Sequence, residues 1–587
     1  MASSAPAPQA SDTDLTSIAE ARALARAARQ AQPALADRSQ DQIDAIVTAM
    51  ADAVTPHAET LARLAVEETG FGVVADKVQK NLFASRQVYE FILPMRTVGV
   101  VNRIEDKKII EIAEPFGVVA EVVPSTNPTS TAIYKVLISL KARCPIVISP
   151  HPSAARCITR AVEIMADAAL RAGAPAGAIG WMKTVTLEGT QELMRQRDVA
   201  VILATGGMGL VRAAYSAGKP AYGVGPGNAP CYIERSADVG GAAHDIVLGK
   251  AFDNGLLCSS PNSVVVDEAV AEEARRQFEA RGAKFLSPAE ASLLAAALVT
   301  PQRLPNPKLV GRSAKEIAEQ VGIPVAADVR VLIAPLDGVG RDYPLSIEKL
   351  CPVLSWYVVK DWMEGCERCI QILRYGGMGH TMAVHSQNDD VILQFGLKKP
   401  AFRICVNTPT THGSIGLTTG LDPAMTLGCG GWGGNSTSDN ISPRHLLNLK
   451  RVAYGLRPAV ASPPVGAAST GAAASAPARP STPACPQAPA KAAPRGISTD
   501  ELRSKVDQFL ASRGYKSASE PGHSERTNAP VATVRNTAPV AFVCEDDVRQ
   551  AMRAGTTIAL GEKTIVTPAA RDLGMAHNVF APTSWPR

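Results

Sequence analysis

Residues 250–266, KAFDNGLLCSSPNSVVV, bring one cysteine, Cys258, between two turn signals and just ahead of the β-rich run 264–266. Asn254-Gly255 turns the backbone before the cysteine, and Ser259, Ser260 and Pro261 break it again directly after. A thiol placed this way suits a nucleophile on a loop supported by a rigid scaffold. It also suits a small buried hydrophobe, the usual role of an intracellular cysteine. Three other loops carry polar groups beyond apolar runs: 124–129 (PSTNPT), 151–153 (HPS) and 205–209 (TGGMG). The last can present backbone N–H groups and a helix N-terminus to a pyrophosphate. It is not GxGxxG, however, and a tight strand-to-helix turn reads equally well. Residues 222–228 (YGVGPGN) are Gly-rich, too irregular for helix or strand, and suited to walling a cleft.

The elements that would hold these loops alternate. Runs 118–123, 145–149, 181–185 and 199–203 are short and apolar, with helical stretches at 130–140 and 153–171. Such strands, separated by helices, imply parallel, doubly wound α/β sheets, whose ligands lie at the carboxyl ends of the strands. Alternation resumes beyond Cys258 through 331–335, 353–359 and 380–385. Upstream, residues 1–14 read as a disordered tail, with helices over 15–36, 40–54 and a third ending at Gly70. Residues 98–104 and 108–112 suggest a hairpin, of a kind that adds its edge to another subunit. The Gly- and Thr-rich stretch 408–434 suits backbone close to a ligand or another subunit, or a long surface loop.

Composition narrows the classes. At 587 residues the chain needs two or three units, and 46% hydrophobic content can fill them. A net charge of +5 without a basic block gives no sign of nucleic-acid binding. Eleven irregularly spaced cysteines indicate reduced thiols in a cytosol. Cys366 and Cys369 form a lone CxxC, read as two helix-packed thiols rather than a zinc or redox pair. The N-terminus lacks a secretory pattern, and no apolar run reaches ~18 residues, so no membrane span is expected.

In order along the chain, FDNGLLCSSPNSVVV, EKLCPVLSWY, GGMGHTMAVHS, RICVNTPTTHGSIG and TLGCGGWGGNSTSDNISPRHLLNLK resemble the CoA-acylating aldehyde dehydrogenases. The likeness covers about residues 15–455. It is closest to the aldehyde-oxidising half of bifunctional aldehyde/alcohol dehydrogenases and to microcompartment enzymes of diol and choline breakdown. It implies the aldehyde dehydrogenase fold: a cofactor domain over 15–248, a catalytic domain over 249–427, and a small β oligomerisation flap from the 98–112 hairpin and the 428–457 segment. It implies Cys258 as nucleophile and Asn127 as the amide that forms an oxyanion hole with the Cys258 backbone N–H. Glu348, in E-x-x-x-P ending at Pro352, matches the glutamate that grips the nicotinamide ribose. Thr126, His151, Pro152, Thr205, Gly206, Gly207 and Gly209 fall on the dinucleotide cleft. Taken singly, Asn127 is a turn residue before proline and Glu348 a solvated helix carboxylate. The implied cofactors are NAD and coenzyme A, with no metal, a short-chain aldehyde as substrate and a homo-oligomer (dimer or tetramer) as assembly. The iron-dependent alcohol dehydrogenase domain of the bifunctional relatives has too little chain here, so that activity is expected to be absent.

One departure from the wider family decides the acyl acceptor. Hydrolytic members carry a glutamate in an E-L-G-G-K stretch as general base for water. The corresponding segment here, 224–228 (VGPGN), has no carboxylate. Water attacks a thioester poorly without a base in reach, whereas a partly ionised CoA thiol needs none. Transfer to CoA is therefore expected over hydrolysis. A hydrolytic dehydrogenase and a catalytically silent scaffold are the alternatives.

Beyond the enzyme, 458–495 is an Ala/Pro linker without carboxylates. In 496–515 (GISTDELRSKVDQFLASRGY), Ser498 can cap a helix with Glu501, and Leu502, Val506, Phe509 and Leu510 form a narrow apolar stripe. It resembles the encapsulation peptides that tether enzymes to microcompartment shells, implying a shell-protein partner and a place within a microcompartment of the bacterial cytoplasm. Docking back on its own enzyme is the alternative. Residues 516–538 read as a second linker, and 539–587 as a small module of a strand, a helix, a short hairpin and a last helix.

Overall fold

The computed structural model describes residues 12–457, 540–577 and 579–580, which divide into two units between Pro463 and Pro464. The linkers placed at 458–495 and 516–538 and the helix placed at 496–515 lie outside the described residues, as do 1–11 of the N-terminal tail.

In the first unit, β1 (Gly99–Ile104) and β2 (Ile109–Pro115) form the expected antiparallel hairpin. A five-stranded, all-parallel sheet follows: β3 (Val118–Val122), β4 (Ile146–Ser149), β5 (Ile179–Trp181), β6 (Val199–Thr205) and β7 (Ala221–Val224), in the order β5-β4-β3-β6-β7. A second parallel sheet has seven strands: β8 (Ala229–Ile233), β9 (Pro261–Asp267), β10 (Ala283–Phe285), β11 (Val331–Pro335), β12 (Val353–Val359), β13 (Gly379–His385) and β14 (Ala401–Val406). Their order is β10-β11-β12-β9-β8-β13-β14, which puts β9 at the centre. Last, β15 (Leu447–Ala453) returns to pair antiparallel with β2, completing a three-stranded sheet in the order β1-β2-β15.

Central strands are apolar on both faces because helices cover both. Every residue of β3, β9 and β13 is buried. The helix Pro128–Lys141, which carries the chain from β3 to β4, is buried along its whole length, with proline at the first helical position, where no N–H is needed. Gln40–Val54 starts on a Ser39/Gln42 capping box, and Ala58–Thr69 stops at Gly70, which has φ +68°.

Several expectations need correction. The first helix begins at Asp12 rather than after residue 14, its Asp12 and Asp14 favouring the positive helix end. The strand expected over 181–185 ends at Trp181; Val185 lies just before the helix Leu187–Arg195. Tyr222, Gly223 and Val224, expected to be irregular, belong to edge strand β7. Glycine serves there because a Cβ at 223 would come within 2.8 Å of the Val211 side chain and 3.0 Å of Tyr215. The segment after Gly70, for which no element was expected, forms the helix Val74–Leu82, which widens into a π-turn over Phe83–Gln87.

The second unit is a β16 (Val540–Val543), helix (Glu545–Ala554), β17 (Leu560–Val566), helix (Pro568–Ala576) sequence around Val543, Val548, Ala551, Ala570 and Val579. The expected short hairpin is absent. The helix crosses the chain back, so β17 pairs with β16 in parallel. Among the described residues, no helix is long and apolar enough to cross a membrane.

Phe278, fully buried, packs edge-on against Trp356 at 5.5 Å between the helix Glu268–Glu279 and the second sheet. Phe278→Ala is expected to destabilise the first unit by about 3–5 kcal/mol through the cavity it leaves. The check is a lowered urea midpoint at unchanged slope.

Candidate active site

The loop before Cys258 is built from residue types that tolerate left-handed backbone. Asp253, Asn254 and Gly255 have φ of +48°, +53° and +72°, a conformation open to Asn, Asp and Gly and costly for most others. That turn delivers Cys258 to the amino end of the central strand β9. Every other described cysteine of the first unit is buried, and Cys258 is partly exposed. It lines a cavity of about 420 Å³ together with Thr126, Asn127, His151, Pro152, Thr205, Gly206, Gly207 and Glu348. Gly209 does not reach this wall: it is the second residue of the helix Met208–Tyr215, past the bend that places Gly206 and Gly207 there.

The two sheets contribute opposite ends. Asn127 follows the carboxyl end of β3, His151 that of β4, and Thr205 ends β6. From the second sheet, Gly227 precedes β8, Cys258 precedes β9, Glu348 precedes β12 and His380 opens β13, all at amino ends. The carboxyl-end rule therefore holds for the first sheet only.

Burial pushes Cys258 up to about 12, with Glu348 and Cys429 adding to the effect and the buried Arg403 guanidinium opposing it. The thiol lies against its own backbone N–H. Position 227 abuts the same residue: a Cβ there would be 2.0 Å from the Cys258 carbonyl oxygen. Gly227 N–H donates to Glu348 Oε1 at 2.8 Å. Burial raises Glu348 to about 7, against the pull of that N–H and of Lys250 and Lys349. Asn228 donates its amide to the Ser346 and Ile372 carbonyls. Segment 224–228 thus offers the site backbone and no carboxylate, and among the described residues Glu348 is the one acid on the cavity wall.

Asn127 occupies the N-cap position of the helix Pro128–Lys141, yet its side chain caps no helix N–H. Its Oδ1 accepts instead from Lys80 Nζ at 2.6 Å, and its Nδ2 lies 3.3 Å from Thr126 Oγ1. Lys80 and Lys77, one turn apart on the helix Val74–Leu82, are both buried and both donate to Asp253 Oδ2, Lys77 at 3.0 Å. Lys77 also donates to the Thr126 carbonyl at 3.2 Å. Asp253 Oδ1 accepts from Val73 N at 2.8 Å. Burial lowers Lys80 to about 8, with Asp253 opposing and Lys77 reinforcing the shift.

Sequence reasoning missed Lys77, Lys80 and Asp253. The signal available was two lysines at i, i+3 on a short helix and an acid inside the turn before Cys258. It also missed His380. That imidazole is buried, bonded through Nδ1 to Thr381 Oγ1 at 2.9 Å, and its Nε2 has no partner. Burial, aided by Arg403, lowers it to about 3. Its Cδ2 is 3.3 Å from where a Cβ on Gly227 would stand.

The cavity also fits a dinucleotide. Thr205 Oγ1 is buried without a partner, Gly207 caps the helix Met208–Tyr215 without a side-chain hydrogen bond, and no atom lies within 4 Å of a Cβ built on Gly207. Backbone donors left open at a helix start suit a phosphate, while Val122, Leu187 and Leu210 supply an apolar wall.

The profile described as the aldehyde dehydrogenase family matches residues 8–420. The bifunctional aldehyde-alcohol dehydrogenase of Escherichia coli K12 is 41% identical over 444 residues, 75% of this chain and 50% of that protein. The acetylating succinate-semialdehyde dehydrogenase of Clostridium kluyveri is 36% identical over 431 residues, 73% and 95% of the two chains. The chain thus spans about half the length of the aldehyde-alcohol dehydrogenase and nearly all of the second relative. Among solved structures, an acetylating aldehyde dehydrogenase from Geobacillus thermoglucosidasius superposes at TM-score 0.76 with 48% identity, covering 77% of this chain and 100% of that one. A propionaldehyde dehydrogenase from the fucose utilisation microcompartment of Clostridium phytofermentans gives 0.66 and 28%, covering 73% and 96%. The propionaldehyde dehydrogenase of Rhodopseudomonas palustris, with bound CoA and an acylated cysteine, gives 0.66 and 25%, covering 74% and 97%.

With ionisation near 12, alkylation of Cys258 by iodoacetamide in the ligand-free protein is expected to quicken roughly tenfold per pH unit from 7 to 10, because only the thiolate reacts. Mass spectrometry of the labelled peptide measures this, and a plateau below pH 9 would reveal a thiolate activated at rest.

Proposed function

The chain belongs to the aldehyde dehydrogenase family, and from that premise we propose that it oxidises a short-chain aldehyde, propionaldehyde or acetaldehyde, to its CoA thioester with NAD. The Cys258 thiol gives up its proton to solvent as its sulfur bonds to the aldehyde carbon and the carbonyl π pair moves to oxygen, giving the thiohemiacetal oxyanion. In this reading Asn127 Nδ2 and the Cys258 backbone N–H would serve as donors to the resulting oxyanion, and one such donor typically carries ~10²–10³ in rate. Bound NAD supplies the hydride acceptor. Thr126, His151, Pro152, Thr205, Gly206 and Gly207 would hold it, with Glu348 on its ribose. Loss of hydride leaves an acyl thioester on Cys258, and the CoA thiol displaces it.

The observation that carries this reading is Gly227 pressed against the Cys258 carbonyl, in a segment without a carboxylate. Hydrolysis would need a base, and Glu348, the one wall acid, has Oε1 engaged by Gly227 N–H. NAD and CoA are proposed to use the same cleft in turn; the CoA bound in the Rhodopseudomonas neighbour supports CoA as the acyl acceptor.

Two finer points are part of the proposal. Among the described residues the β1-β2-β15 sheet has an open edge at β15, with Leu449 and Val452 exposed, which suits a homo-oligomer contact. The apolar stripe of 496–515, together with the microcompartment origin of one structural neighbour, supports tethering to a shell protein.

Turnover of a homologous aldehyde series, with and without CoA, tests the function. CoA is expected to accelerate NADH formation at least tenfold and to yield acyl-CoA, and Cys258→Ala to abolish both. Equal rates without CoA, or free acid as main product, would refute the assignment. Because Glu348 protonates near pH 7, its grip on a ribose hydroxyl as an acceptor is present above that pH and lost below. The KM for NAD is therefore expected to rise from pH 8 to pH 6, and Glu348→Gln to hold it high and flat. Initial-rate measurements across that range decide it.

A further inference from the structure

Asparagine is a favoured helix N-cap because its side-chain oxygen accepts from the first-turn N–H groups. Asn127 stands at that position before Pro128 and does not cap. What holds its oxygen is an ammonium from another part of the chain, Lys80 Nζ at 2.6 Å. An ammonium only donates, so the contact fixes which end of the amide is oxygen. Nδ2 must then point the other way. Its one near acceptor among the described residues, Thr126 Oγ1 at 3.3 Å, can occupy one of its two hydrogens. Asn127 is on the wall of the Cys258 cavity.

Lys80 is itself held. It is buried and shares Asp253 Oδ2 with Lys77. Asp253 is anchored from below by Val73 N–H, and its own N–H donates to Asp76 Oδ2 at 2.7 Å. A Cβ at Gly72 would fall 2.0 Å from Asp253 Oδ1, so the chain passes too closely for the carboxylate to swing that way. Asp253 lies five residues before Cys258 in the left-handed turn that delivers the thiol. One carboxylate thereby ties the start of the nucleophile loop to the ammonium that orients the amide.

We propose that Lys80 is the positioning residue of the oxyanion site: by holding Asn127 Oδ1 it aims the Asn127 amide N–H at the oxygen that forms on the Cys258 adduct. Lys80 touches neither aldehyde nor cofactor and acts only through Asn127. This rests on the reaction assigned above.

A double-mutant cycle on the full chain tests it, read as the single-turnover burst of NADH from aldehyde and NAD before CoA is added. Asn127→Ala is expected to slow the burst roughly 10²–10³-fold. Lys80→Met is expected to slow it about 10–100-fold, because the amide remains but is no longer aimed, with the KM for NAD changed less than twofold. In the Asn127→Ala background, Lys80→Met should cost less than twofold more. A full additional 10–100-fold loss in that background, or a wild-type burst in Lys80→Met, would overturn the proposal. Should Lys80→Met fail to fold, the same cycle is read with Lys80→Arg, which keeps a charge against Asp253 while moving the donor. Its cost must likewise vanish without the Asn127 amide, and an equal cost in both backgrounds overturns the proposal. Because the burst precedes acyl transfer, failure of the CoA assignment shows separately, as acid production from the adduct with the cycle intact.

Discussion

There is no room for a side chain between position 227 and the carbonyl of Cys258; a single Cβ would stand 2.0 Å from that oxygen. The connection from β7 to β8 and the loop before β9 meet there backbone to backbone. Glycine is the residue that lets them, and the contact sets the connection between the two sheets against Cys258. The space that a side chain at 227 would take is filled by peptide.

Burial sets the electrostatics of the site. Removing the thiol from water keeps it protonated at rest and raises Glu348 toward neutrality. Weak screening also makes every fixed donor more effective, so the environment that quiets the sulfur strengthens Asn127 and the Cys258 N–H. The Lys77–Asp253–Lys80 cluster belongs to the same logic. Burying two ammonium groups around one carboxylate gives little net stability and can cost some. What it provides is fixed geometry: a helix expected by no sequence pattern, a strained turn and an amide are held in one register.

The sequence made the framework legible where one rule dominates. Apolar runs became β3, β4, β6, β9, β11, β12 and β13 because strands covered on both faces must be continuous in apolar residues. Gly70 closed its helix for the usual left-handed reason. Where two rules compete, reading failed. Tyr222–Val224 carries a glycine chosen for packing under Val211 and Tyr215, and glycine also signals irregularity. The helix Val74–Leu82 hides because its lysines point inward, contrary to the expectation that such charge is solvated. The carboxyl-end rule marked the loops whose Thr126, Asn127, His151 and Thr205 line the cavity but says nothing of a second sheet presenting its amino ends. Gly209 lies two residues past Gly207, which is on that wall, and Lys80 was beyond reach, since its partner is 47 positions away.

The three-stranded sheet has a consequence for the order in which the chain can become itself. Its middle strand, β2, finds β15 only after more than three hundred intervening residues, as the Lys450–Glu114 pair shows with a separation of 336. At synthesis rates of about 5–20 residues per second, the hairpin waits on the order of half a minute with one ladder edge unpaired. Both large sheets can close in that interval, because their strands lie between. This three-stranded sheet is therefore the last part of this unit able to form during translation, and a nascent chain arrested before residue 447 would hold a finished cleft beside an unpaired β2 edge.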